Sequence, residues 1–164
     1  MMCAMKFRHE LAYDAAPDQV FEMLADPAFR EAACAAQDVI SADVSVERSG
    51  GGFTLTVDQL QKTDDLPSFA RTFAGESTRA IQREVWADTT GGTLDIEAPG
   101  KPSSISGTIT LRPEGSGTVE IVELDVKIKV PLIGGKLEKL LADKVRSGMD
   151  AEHGVGVAYL AGER

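Results

Sequence analysis

The sequence predicts an α+β fold: a curved, seven-stranded antiparallel sheet around a long C-terminal helix, with two short helices between strands 1 and 2. Three observations carry this. Apolar residues recur with a period of two in stretches joined by short turns, the mark of antiparallel hairpins. Prolines divide the segment after the first strand into two short helical pieces. After Pro131 the period lengthens to 3.6 and holds to Leu160.

Each element follows in order. Met5, Phe7, His9, Leu11 and Tyr13 alternate with Lys6, Arg8, Glu10 and Ala12, giving a strand with one buried face. Pro17 suits the first turn of a helix whose apolar side is Val20, Phe21 and Leu24. Asp26-Pro27 supplies a cap and a first helical residue for a second. From Val39 the alternation returns, with Ile40, Ala42, Val44 and Val46 on one face. Ser49–Gly52 is a turn, and Phe53, Leu55 and Val57 begin the returning strand. In TDDLPSFARTFAGES, Leu66, Phe69, Ala70 and Phe73 sit at helical spacing, so a short helix or ordered loop is expected. Four strands follow, over Arg79–Asp88, Gly92–Glu97, Ser103–Arg112 and Thr118–Val130, separated by Gly- and Pro-rich turns.

The last segment carries Ile133, Leu137, Leu140, Leu141, Val145, Met149, Glu152, Val155, Tyr159 and Leu160 along one stripe. Lys136, Glu138, Lys139, Asp143 and Arg146 cover the other side. Roughly 28 helical residues span about 40 Å, enough to cross a sheet. Five glycines interrupt this stretch. Gly134 and Gly135 suit the strand-to-helix corner, whereas Gly148, Gly154 and Gly156 leave room for a close neighbour, a ligand or a kink. A sheet of seven strands must twist and curve. Its concave face needs this helix as cover, and incomplete closure leaves a cavity.

With 164 residues the chain suits one domain, 1–164, with an ordered core over about 5–160. A net charge of −9 and 5% aromatic residues exclude nucleic acid as a partner and disfavour anionic membranes. No run approaches the ~20 apolar residues of a membrane-spanning helix. MMCAMKFRHE lacks the apolar core of a signal peptide, and Cys3 and Cys34 form no redox or metal motif. Two reduced thiols in a cytoplasmic protein are expected. His9 and His153 are the only histidines, and no ligand cluster has zinc spacing, so neither a metal nor another cofactor is expected. Gly50–Gly52 precedes a strand, so it is not a phosphate loop. No Gly-x-Ser-x-Gly elbow surrounds Ser103, Ser104 or Ser106.

The element order, with FRHELAYDAAPDQVFEMLADPAFR, DLPSFARTFAG, a strand ending in VW and VPLIGGKLEKLLAD, resembles the helix-grip fold of the START-like (SRPBCC) superfamily. More narrowly it looks like an uncharacterised, domain-of-unknown-function branch, over Met5 to Leu160. That superfamily includes lipid carriers, polyketide cyclases and aromatases, hormone receptors and chaperone cofactors. The resemblance implies a fold and leaves the chemistry open.

Candidate site residues are those the periodicity turns inward. His9 is either a polar anchor or general base at one cavity end, or a core histidine bonded to its neighbours. Arg83 lies between Ile81 and Val85 in one register of its strand; the other register turns Gln82, Glu84 and Trp86 inward and Arg83 to solvent. Glu152 falls on the apolar stripe, either inside the cavity or at its wet edge, and pairs with His9 in the acid–base reading. The expected walls are Ile81, Val85, Leu94, Ile96, Ile109, Leu111, Val145, Gly148 and Met149, with Tyr13 as a further polar group. The expected function is a cytosolic carrier or sensor for a small apolar or amphipathic molecule. An enzyme of cyclase, dehydratase or hydrolase type on a hydrophobic substrate is the alternative, using His9, Tyr13 or Glu152. Sparse titratable residues on the inner faces count against it. A third reading is an interaction module with a collapsed cavity, docking through DLPSFARTFAG, which otherwise forms a flap over the cavity mouth.

Overall fold

The computed structural model describes residues 4–162, so Cys3 lies outside the described residues. Strands β1 (Met5–Tyr13), β2 (Ser41–Ser49), β3 (Gly52–Lys62), β4 (Ser77–Asp88), β5 (Gly91–Glu97), β6 (Ser103–Glu114) and β7 (Gly117–Ile128) form one antiparallel sheet. Its order is β1-β7-β6-β5-β4-β3-β2, so β1 and β2 are the edges although they are consecutive in sequence. The helices α1 (Pro17–Leu24) and α2 (Pro27–Ala36) carry the chain from one edge to the other. α3 (Ser68–Ala74) joins β3 to β4, and α4 (Gly134–Leu160) crosses the concave face. Five hairpins and one long crossover explain the order without threading the chain.

Local chemistry sets the helix starts. Pro17 and Pro27 each occupy a first turn, where a missing N–H costs nothing. Asp26 accepts from the Ala28 N–H at 2.9 Å, and the Gln19 side chain accepts from the Ala16 N–H at 3.1 Å. The corner before α4 is made differently from expectation. Leu132 adopts φ 71°, and Gly134 and Gly135 fall within the first helical turn. Glu138, expected on the solvent side, is buried and accepts from the Ile128 N–H at 2.8 Å. It satisfies the backbone where β7 runs out of partners.

The β4 register is the one that turns Gln82, Glu84 and Trp86 inward. Phe53 pairs with Trp86 across β3 and β4, and their rings stack at 5.5 Å. Burying a tryptophan against a phenylalanine outweighs burying Val85, which is left 52% exposed. Ile81 and Arg83 therefore belong to the outer face, where Arg83 pairs with Glu97 in solvent.

Candidate functional site

Between the sheet and α4 lie two adjoining spaces. The outer one has a volume of about 190 Å³ and the inner one about 80 Å³, and Gln59, Ile96 and Val145 wall both. Small and aliphatic residues predominate in the outer space, with Ala80 from β4, Ala98 just past β5, and Leu137 and Leu141 from α4, while Lys62, Lys101 and Lys144 also line it. Leu66, Ala70 and Phe73 close it from the α3 side, so DLPSFARTFAG packs over the mouth. α3 is tied down through Lys101 Nζ, which donates to the Phe73 carbonyl at 2.9 Å, and Lys136 Nζ, 4.5 Å from the Phe69 ring centre.

The inner space ends in charge. Arg30 projects from the buried face of α2 and is bonded through all three nitrogens: Nε donates to the Leu24 carbonyl at 2.7 Å, satisfying the free end of α1. Nη2 donates to Glu84 Oε1 at 3.0 Å, and Nη1 donates to Glu84 Oε2 at 3.3 Å and to Glu152 Oε1 at 3.0 Å. Glu84, 1% exposed, also accepts from Trp86 Nε1 at 2.9 Å and Gln82 Nε2 at 2.6 Å. Such a fork–fork pair is the geometry a buried guanidinium needs. Glu120 stands apart. It is 4% exposed on β7, lines the inner space, and its Oε1 has no hydrogen-bond partner among the described residues. Gln59 Oε1, on a residue 7% exposed, is likewise unpartnered.

Three carboxyl groups thus share one guanidinium in a largely buried site. Burial, then Glu152 and Glu84, pushes the Glu120 carboxyl up to about 8, against the pull of Arg30. Burial also raises Glu152, which Arg30 partly offsets. Burial works to lower the Arg30 guanidinium, but Glu84, Glu152 and Glu120 together hold it above its ordinary value. The arrangement can hold or release a proton near neutral pH and can accept hydrogen bonds. No group of three or more His, Cys, Asp or Glu among the described residues is placed to hold a metal ion.

The model of the family described as "Protein of unknown function (DUF2505)" matches residues 8–160. The chain belongs to the DUF2505 family. No curated protein matches it in sequence. Solved structures show what the DUF2505 fold is similar to. TTHA0849 from Thermus thermophilus superposes with a TM-score of 0.64 at 21% identity, covering 94% of this chain and 99% of that one. A START superfamily protein from Mycobacterium smegmatis gives a TM-score of 0.55 at 15% identity, covering 91% and 94%. Norcoclaurine synthase from Thalictrum flavum gives 0.59 at 15% identity, covering 93% and 86%. The architecture is the helix-grip fold of START-like proteins.

Within this DUF2505 structure, the sequence-predicted residues separate into three groups. Leu94, Ile96, Ile109, Val145, Gly148, Met149 and Glu152 wall the inner space. Leu111 and Tyr13 are buried but outside those walls; Tyr13 packs on Gly156 and His153, and its hydroxyl has no partner among the described residues. Burial, reinforced by Glu120 and Glu152, raises the Tyr13 phenol, so it stays protonated. Ile81, Arg83, Val85 and His9 lie elsewhere. The His9–Glu152 couple does not form, because His9 Nε2 lies 2.7 Å from Asp150 and its Nδ1 accepts from Arg146 at 2.8 Å, on the opposite flank of α4. The inner faces are also richer in titratable groups than expected: Arg30, Glu84 and Glu120 were absent from the candidate set. Cys34 walls the inner space as a free thiol that burial raises and keeps unreactive. No helix among the described residues is long and apolar enough to cross a membrane.

Proposed function

We propose that this protein is a cytosolic carrier or sensor for a small amphipathic molecule held between the sheet and α4. One observation carries the reading: an apolar space continues into an inner space whose Glu120 and Gln59 oxygens lack partners. Buried polar atoms without partners cost about 1–3 kcal/mol each, a cost that a bound polar head would remove. The ligand's apolar part then lies along Ile96 and Val145 toward the α3 side, and its head reaches Glu120. The open outer space supports this reading over an interaction module with a collapsed cavity.

An acid–base enzyme is the second reading, and Glu120 favours it. A carboxyl with a pKa near 8 inside a cavity can donate or accept a proton at neutral pH. The fold is shared with norcoclaurine synthase and with the di-domain ARO/CYC BexL, the latter at 17% identity, so it accommodates catalysis in other chains. Native mass spectrometry of protein purified from its own host, compared with the denatured mass, tests the cavity. A stoichiometric small molecule is the expected result, recovered unchanged if the protein is a carrier. Protein that is reproducibly bare, and that takes up no apolar fluorescent probe, overturns both readings.

A further inference from the structure

Resting on the proposed carrier function, we infer that the inner end of the cavity recognises an organic cation: the ammonium head of an amphipathic amine, seated against Glu120 Oε1 and Gln59 Oε1. Three features of the site support it. The unmet atoms are oxygens, on residues that are 4% and 7% exposed, and the Glu120 oxygen becomes purely an acceptor once its carboxyl ionises, so a donor completes both. The site's cation is already engaged. Arg30, the one cation that walls the inner space among the described residues, gives its hydrogen bonds to Glu84, Glu152 and the Leu24 carbonyl, and Gln82 and Trp86 add theirs to Glu84, so no free positive charge faces a carboxylate or phosphate head. Once Glu120 ionises the charge is also unbalanced, with Glu84, Glu120 and Glu152 against Arg30 alone. An ammonium supplies both the donors and the charge, and in a low-dielectric pocket such charge-assisted bonds are the strong ones.

The groups facing Glu120 fix the pH behaviour. They are Tyr13 from β1, Arg30 from α2, Glu84 from β4 and Glu152 from α4, while β1 and β6 set the apolar Leu11 and Leu111 beside it. In the empty protein this carboxyl loses its proton only near pH 8. Seating an ammonium requires the carboxylate, so binding at pH 7 releases a proton. Affinity rises about tenfold per pH unit up to that point and then levels off.

The test is calorimetric titration of the intact protein with three probes of one chain length: n-octylamine, 1-octanol and octanoate. At pH 8 the amine is expected to bind at least about tenfold tighter than the alcohol, with octanoate weakest. At pH 7, buffers of different ionisation enthalpy are expected to reveal release of about one proton with the amine and none with the alcohol. Glu120→Gln is expected to abolish the amine preference and the proton release while keeping octanol binding. Gln59→Leu, which leaves the charge untouched, lowers the preference in part and serves if Glu120→Gln does not fold. Equal affinity for amine and alcohol, or an amine preference that survives Glu120→Gln, overturns the inference and leaves the cavity reading standing. Failure of all three probes to bind overturns the cavity reading itself, and this inference with it.

Discussion

Ala80 and Trp86 share the inner face of β4 and inhabit two kinds of interior. Around Trp86 the space is filled: its ring stacks on Phe53, Phe21 meets both edge-on or tilted, and Phe29 meets Tyr159. Around Ala80 the neighbours are Ala70, Ala74 and Ala98, and a volume of about 190 Å³ remains. Glu84 sits between them, at the boundary where the packed end gives way to the hollow one. The same alternation of inward residues therefore builds a solid anchor at one end and a receptacle at the other, by side-chain size alone. The packed end also holds the polar groups in place, since Trp86 Nε1 and the end of α1 orient Glu84 and Arg30 before any ligand arrives.

The largest expected effect comes from breaking the boundary. Arg30→Met leaves Glu84 and Glu152 buried without their cation, and removing one partner of a buried ion pair costs about 3–5 kcal/mol. Urea unfolding at pH 8 measures this. The loss shrinks at low pH, where Glu152, whose carboxyl burial already raises, takes up a proton.

Glu120→Gln acts next, with the opposite sign. The folded carboxyl titrates at about 8, against an ordinary 4.5. Between those values the folded state holds a proton that the unfolded chain has lost, so stability falls as pH rises through this window and is flat above it. Glutamine removes the dependence. The variant is expected to be more stable than the wild type by a few kcal/mol at pH 9 and equal to it near pH 4. Urea melts at both pH values check this; equal stability at pH 9 would place the Glu120 carboxyl in water rather than in the cavity.

How much of this was legible in the sequence follows from the same two periods. Strand alternation and the 3.6-residue stripe located the strands and α4, because burial on one face leaves a period that local residues report, while prolines marked α1 and α2 and the α3 segment stayed open between helix and loop. They also placed Leu94, Ile96, Val145 and Met149 on the cavity wall. The charged cluster was legible in part. Glu120 keeps phase with Val122, Leu124 and Val126, and Arg30 shares a helix face with Phe29, Ala33 and Cys34, so a charge on an apolar stripe was the signal. What no local pattern carries is the partner. Arg30, Glu84 and Glu152 come from three elements far apart in sequence, and only the sheet order brings them together. The β4 register was ambiguous for the same reason: Ile81 and Val85 match a buried face as well as Trp86 does until Phe53 is known to lie opposite.

Two glycines of α4 bring the comparison down to a single methyl group. At Gly156, in the packed end, an added Cβ would lie 2.7 Å from Tyr13 Cε1 and 3.2 Å from Met23 Cε, both held in a filled interior. Gly156→Ala is expected to cost about 1–3 kcal/mol, the usual penalty of overpacking, read as a lowered urea midpoint. At Gly148, on the inner space, the nearest atom is Gln37 Oε1 at 2.6 Å, the far end of a flexible side chain on α2. That amide swings aside easily, because its one bond is Nε2 donating to the Ala33 carbonyl in a half-buried setting. The helix meanwhile gains alanine's propensity over glycine, so Gly148→Ala is expected to be neutral or to stabilise by up to about 1 kcal/mol. The same methyl group enters the space that Met149 and Glu152 wall, so uptake of n-octylamine should weaken severalfold while stability holds. A matched loss of stability at both positions would mean that α4 is packed equally tightly along its length, and the hollow end would no longer differ from the solid one.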